Sequence, residues 1–223
     1  MPSHWSIKCC SNDAVNDPHA DRPILHQGVS IDRARLAVIL VHGRGGSPQD
    51  MLGLATELNV GDVAYLAPAA AGGTWYPQSF LAPIDQNEPG LSSALGVLER
   101  LVSTLAQQGV THERLALLGF SQGACLALEF AARHARRYAG VVGLSGGLIG
   151  PAGTPRSYGG TFESTPVFLG CSDIDAHIPL PRVHESADVF RRLHAAVDER
   201  IYPRMGHTIN REEIDAVKAL LGN

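Results

Sequence analysis

Gly119-Phe120-Ser121-Gln122-Gly123 constrains this chain more than any other segment. The pentapeptide reads G-x-S-x-G, and its flanks give it meaning. Arg114 to Leu118 runs into it as a short apolar stretch, the pattern of a buried strand. Ala124 to Arg137 follows, rich in Ala, Leu and Arg, the pattern of a helix. Strand, sharp turn and helix in that order are the context in which such a serine sits on a nucleophile elbow. Only small residues fit beside so tight a turn, which accounts for Gly119 and Gly123. The turn lifts the Ser121 hydroxyl clear of the sheet. It also sets that hydroxyl at a helix N-terminus, where free N–H groups favour a developing negative charge.

Strand-like and helix-like segments alternate along the rest of the chain. Arg35 to His42 is a near-continuous aliphatic run, typical of a parallel strand buried on both faces. Further strands are expected at Val63 to Ala67, Tyr138 to Leu144, Pro166 to Leu169 and Glu199 to Tyr202. Helices are expected at Pro48 to Leu58, Leu91 to Gln108, Pro181 to Val197 and Glu212 to Leu221. Ser47 suits the N-cap of the first of these, with Pro48 at its first position. The alternation predicts an open parallel α/β fold, and the elbow at Ser121 makes the α/β-hydrolase type the expected one. A mostly parallel central sheet carries helices on both faces, and no lid domain is added. One domain is expected over residues 22–223, preceded by a loosely ordered arm over residues 1–21 or by a strand-forming lead-in from Leu25.

Bulk properties narrow the function. The 223 residues carry a formal net charge of −4, which argues against nucleic acid or an anionic membrane as partner. No apolar run approaches the ~18 residues a membrane helix needs. The first residues lack the apolar core of a signal peptide, so a cytoplasmic location is expected. Four cysteines in a chain this long do not form a disulfide framework, and Cys125 is expected only to pack. No closely spaced metal-ligating set appears outside the 171–177 loop, so no metal or cofactor is expected.

A serine hydroxyl attacks esters only with a base in hydrogen-bond reach and a third group orienting that base. On this architecture the acid and the base follow the serine in the chain, in loops at the ends of later strands. His207 meets that demand, between the last strand and the last helix, with Gly206 allowing the loop to bend. His177, in a loop, is the second choice, whereas His134, His184 and His194 fall in helix patterns. Asp175 is favoured over Asp173 as the acid because it fits the D-x-x-[IV]-P spacing before the next helix. The oxyanion donors are expected to be the backbone N–H groups of Gln122 and Arg44. Gln122→Ala and Arg44→Ala are then expected to cost little. Gly143-Leu144-Ser145-Gly146-Gly147 repeats the motif, but no helix starts cleanly after it, so Ser145 is rejected as nucleophile.

Six segments together resemble the phospholipase/carboxylesterase group of α/β-hydrolases, which includes the acyl-protein thioesterases. They are H-G-R-G-G at His42 to Gly46, T-W-Y-P at Thr74 to Pro77, G-F-S-Q-G-A at Gly119 to Ala124, L-S-G-G at Leu144 to Gly147, D-x-H-I-P at Asp175 to Pro179 and M-G-H at Met205 to His207. The resemblance implies a serine esterase acting on carboxylic esters or thioesters, with Ser121, an aspartate and His207 as triad. It makes L-S-G-G a structural strand end and is compatible with a homodimer. Thioesterase members commonly carry an apolar residue where this chain has Arg44, which favours an acidic or polar substrate over a long lipid chain. Trp75, Tyr76, Phe80 and Leu81 cluster in the long Ala69 to Pro89 loop of a chain with only 6% aromatics. They are expected either to line a pocket for a small-molecule ester or to anchor the loop.

Overall fold

A computed structural model of the chain describes residues 17–222. Its strands are β1 (Ile24–Gly28), β2 (Leu36–Val41), β3 (Val63–Pro68), β4 (Leu115–Phe120), β5 (Gly140–Leu144), β6 (Pro166–Ser172) and β7 (Ala196–Tyr202). Its helices are α1 (Pro48–Leu58), α2 (Gly90–Gln107), α3 (Gln122–Arg133), α4 (Leu180–Arg192) and α5 (Arg211–Gly222). The strands form one sheet in the order β1-β3-β2-β4-β5-β6-β7. All pairings are parallel except β1 with β3, which is antiparallel.

The alternation of side chains along each strand divides the core in two. Ala37, Ile39 and Val41 of β2 point into a layer with α2, α3 and α4, while Leu36, Val38 and Leu40 point into a layer with α1 and α5. Every residue of β2, β3 and β5 is buried, the signature of strands covered on both faces. Each large aliphatic side chain so buried contributes about 1.5–3 kcal/mol. The two edge strands read differently. β1 and β7 alternate exposed and half-buried positions over most of their length.

Helix ends follow local chemistry. Ser47 and Asp50 cap α1 reciprocally, side chain to backbone in both directions. Asn210 and Glu213 do the same for α5: Glu213 Oε2 accepts the Asn210 N–H at 2.9 Å, and Asn210 Oδ1 accepts the Glu213 N–H at 2.9 Å. The other Glu213 oxygen is buried against Gly170 of β6 without a hydrogen-bond partner.

Three expectations need correction. The helix expected to reach Arg137 stops at Arg133, because residues 135–138 turn to meet the 160–165 loop: Ala135 bridges to Gly160, and the Tyr138 N–H donates to Thr165 Oγ1. The helix expected to reach Val197 stops at Arg192. His194 adopts a left-handed φ of 62°, and the chain then enters β7. The expected arm over residues 1–21 does not extend through its last residues. Asp17 pairs with Arg100 at 3.0 Å, and His19 is buried. The His19 ring accepts the Ala71 N–H at 3.0 Å and donates from Nε2 to the Trp75 carbonyl at 2.9 Å, so these residues anchor the long 69–89 loop. Residues 1–16 lie outside the described ones.

Candidate active site

Parallel strands aim their carboxyl ends at one edge of the sheet, and the loops leaving them build the site there. β4 hands the chain to α3 through Ser121 alone, whose φ is 54° and ψ −119°. A non-glycine residue rarely holds positive φ, and such strain persists only when the surroundings impose it. The backbones here are that close. A Cβ on Gly119 would sit 2.2 Å from the Gly123 carbonyl oxygen, and one on Gly123 would sit 2.1 Å from that of Val41. The two glycines therefore let α3 press against the ends of β4 and β2.

The loop after β7 brings His207 to this turn. His207 Nε2 lies 2.8 Å from Ser121 Oγ, and its Nδ1 lies 2.7 Å from Asp175 Oδ2. The Asp175 side chain is fully buried and the His207 side chain 20% exposed. Burial alone would raise the Asp175 pKa. The His207 hydrogen bond and the N–H groups of His177 and Ile178 outweigh it and hold the carboxyl below the usual range. With Nδ1–H donated to the carboxylate, Nε2 is free to accept from the serine. The Phe120 ring, 5.2 Å from the imidazole, packs on its face, and His177 meets it edge-on at 4.8 Å.

The other candidates part from this cluster. Asp173 Oδ1 accepts the Arg204 N–H at 2.7 Å, a turn contact away from the imidazole. His177 neighbours His207 but makes no hydrogen bond to Ser121. Ser145 is completely buried just after β5, where its hydroxyl meets the Cys171 thiol.

The peptide between Gly43 and Arg44 is oriented by His42. His42 Nδ1 donates to the Gly43 carbonyl at 2.7 Å, and the Gly46 N–H donates to the same oxygen at 3.1 Å. A trans peptide then points the Arg44 N–H the opposite way. Gly43 abuts the serine, since a Cβ there would lie 3.3 Å from Ser121 Cβ. Among the described residues neither the Arg44 nor the Gln122 N–H has an acceptor. Burial lowers the His42 pKa and keeps the ring neutral, as its acceptance of the Ala70 N–H requires.

The side chains of Arg44 and Gln122 have work of their own, which the sequence reading did not assign. Arg44 donates to the carbonyls of Tyr76, Pro77 and Gln78 at 3.0, 2.9 and 2.6 Å. Gln122 accepts the Trp75 N–H at 2.9 Å and donates to the Tyr76 carbonyl at 2.8 Å. Together they pin the loop that walls the site.

That wall encloses a cavity of about 470 Å³ beside Ser121. Of the four aromatic and aliphatic candidates in the 69–89 loop, Tyr76 and Phe80 line it and Trp75 and Leu81 do not. Trp75 is fully buried and donates from its indole to the His42 carbonyl at 2.9 Å, and Leu81 packs on the core. Phe120, Ile178 and Cys125 line it instead. Burial pushes the Cys125 thiol up to about 12, so it behaves as an apolar wall. Among the described residues no group of His, Cys, Asp and Glu is arranged to hold a metal, and no helix is long and apolar enough to cross a membrane.

Residues 29–222 match the phospholipase/carboxylesterase family model. Acyl-protein thioesterase 1 of Saccharomyces cerevisiae is 28% identical over 177 residues, 70% of this chain and 77% of that protein. Acyl-protein thioesterase 1 of Gibberella zeae is 27% identical over 143 residues, a match spanning 61% of this chain and 59% of that protein. A crystal structure of a phospholipase/carboxylesterase from Dyadobacter fermentans superposes with a TM-score of 0.87 at 40% identity, covering 91% of this chain and 97% of that one. With its model spanning nearly the whole described chain, the protein belongs to the phospholipase/carboxylesterase family and is a carboxylic ester hydrolase on the α/β-hydrolase fold.

Proposed function

We propose that the chain is a serine carboxylesterase that cleaves short-to-medium acyl esters through an acyl-enzyme formed on Ser121. The observation that carries the reading is the continuous relay from Ser121 Oγ through His207 to the buried Asp175 carboxylate, at 2.8 and 2.7 Å. In this scheme Ser121 Oγ attacks the ester carbonyl carbon as His207 Nε2 takes its proton. The carbonyl oxygen becomes an oxyanion between the N–H groups of Gln122 and Arg44. His207 returns the proton to the departing alcohol. Water then repeats the sequence on the acyl-serine, releasing the acid and restoring the hydroxyl. Asp175 fixes the imidazole tautomer and stabilises its transient charge.

A cavity of about 470 Å³, lined by Cys125, Phe80, Phe120 and Ile178 beside Ser121, suits small soluble esters. A nitrophenyl ester series from acetate to dodecanoate tests this. Rates should peak at or below hexanoate, and a maximum at dodecanoate would overturn the chain-length reading. Labelling by a fluorophosphonate, lost in Ser121→Ala, tests the nucleophile and separates an enzyme from a ligand-binding module on the same fold. The relatives named acyl-protein thioesterase 1 support a second reading with the same chemistry, hydrolysis of thioesters. Rates on paired oxygen and sulfur esters of one acyl group decide between the two.

A further inference from the structure

Arg44 places an uncompensated positive charge on the wall of the substrate cavity. Its side chain is exposed and lines that cavity together with Ser121, His207 and His177. Arginine has five N–H donors, and three hydrogen bonds to the carbonyls of Tyr76, Pro77 and Gln78 leave two free. Those bonds hold the guanidinium in one place without neutralising it, because carbonyl oxygens carry only partial charge. Among the described residues no carboxylate lies within ion-pair distance of it. Among the described residues no Asp or Glu lines the cavity. The Asp175 carboxylate is sealed beneath the imidazole and already accepts from His207, His177 and Ile178.

Arg156 and Arg182 give the contrast within the same molecule. Both also clamp loop carbonyls, in the 148–150 segment, and both pair with the Glu185 carboxylate, at 2.9 and 2.8 Å, with Glu129 at 3.9 Å from Arg156 as a second counter-charge. Those two clamps carry counter-ions, whereas Arg44, like Arg114 on the carbonyls of Ala34 and Arg35, has none among the described residues, and of these two only Arg44 lines the cavity beside Ser121. On a chain whose formal net charge is −4, the cavity is locally cationic. A partly desolvated cleft concentrates such a field on whatever enters it.

We infer that the preferred substrates are esters bearing a carboxylate on the same small molecule, drawn in and oriented by the Arg44 guanidinium. The inference rests on the serine-esterase reading and names its substrate class. The anionic group stays unreacted, so the chemistry at Ser121 is that already described.

Matched substrates test it. For the acyl side, the nitrophenyl monoester of glutaric acid is compared with nitrophenyl pentanoate. For the alcohol side, 3-acetoxybenzoate is compared with its methylamide. Each kcat/KM is divided by the hydroxide-catalysed rate of the same ester. At about 20 mM salt the anionic member of at least one pair should win by roughly three- to fivefold, the upper range of one partly exposed charge pair. The advantage should shrink to about twofold or less by 0.5 M salt. The pair that shows it identifies the arm that carries the charge. Because Arg44 also braces the cavity wall and supplies a backbone donor, its variants are judged by the anionic-to-neutral ratio within each variant. Arg44→Lys should keep the ratio and Arg44→Gln should abolish it. A ratio near one in both pairs for the unaltered enzyme overturns the inference, as does a ratio that survives Arg44→Gln. If Arg44→Gln does not fold, Arg44→Lys and the salt dependence still decide. Loss of Ser121 labelling would strike the esterase reading itself; intact labelling with a flat ratio strikes only the charge preference.

Discussion

The Gln122 carboxamide accepts the backbone N–H of Trp75 at 2.9 Å and turns its amino group to the Tyr76 carbonyl at 2.8 Å. The residue that follows the serine therefore also fastens the wall of the cavity. Gln122→Ala would keep the backbone N–H but leave two buried backbone groups unpaired, at about 1–3 kcal/mol each. We expect a stability loss of about 2–4 kcal/mol in urea denaturation, a several-fold rise in KM and continued fluorophosphonate labelling. Unchanged midpoint and KM would show that the loop does not depend on this contact.

Removal of the relay should be far more costly to rate than to stability. Ser121→Ala and His207→Ala should lower kcat by roughly 10⁴–10⁶, and Asp175→Asn by about 10⁴, because the amide supports the wrong imidazole tautomer. Asp173→Asn, whose side chain would still accept the Arg204 N–H, should stay within about threefold. Nitrophenyl acetate turnover by purified, folded variants checks all four. An Asp173 variant as damaged as the Asp175 one would exchange their roles.

The tight approach of α3 to the sheet makes a sharp stability prediction. Gly119→Ala and Gly123→Ala force a methyl to about 2 Å from backbone oxygens that cannot yield. Each should cost more than about 3 kcal/mol, at or beyond the upper end of ordinary overpacking. Gly45→Ala is the control. Its φ is +73° but nothing lies within 4 Å of a Cβ, so only the conformational penalty of about 1–2 kcal/mol applies. Thermal melts in which all three variants lose equally would refute the clash.

Glu213 should make stability fall with rising pH. Burial pushes its carboxyl up to about 7, against the opposing hydrogen bond from the Asn210 N–H. In an unfolded chain a glutamate releases its proton near 4.3. Between those values the folded protein holds a proton that the unfolded chain has lost, so raising the pH disfavours folding. The contribution is most favourable below about 4, declines towards 7 and is constant above. Glu213→Gln should stabilise the protein by about 1–3 kcal/mol at pH 8 and by less than half of that at pH 5. Urea denaturation at the two values measures it. An equal effect at both would place the proton elsewhere.

Much of this architecture was legible because its signals are strong and local. Aliphatic runs such as Leu36–Val41 can only be buried strands, and the order of Ser121, Asp175 and His207 follows from loops at successive strand ends. Weaker signals misled. Leu193, Ala195, Ala196 and Val197 suit a helix as well as an edge strand, so the expected end of α4 ran past Arg192 into the start of β7. Aromatic character could not separate Tyr76 and Phe80, which face the cavity, from Trp75, which turns inward to the His42 carbonyl. His19 and His42 show no periodicity, and their roles arise only from contacts across 28 to 56 residues of chain.

The strand-end loops leave the serine facing outward, and among the described residues no lid domain covers it. An ester in solution can reach the hydroxyl by simple diffusion, without first adsorbing to a lipid–water boundary. Turnover should therefore climb smoothly through the concentration at which a substrate begins to form micelles. A hydrolase held shut until it meets an oil surface would instead show an abrupt jump there.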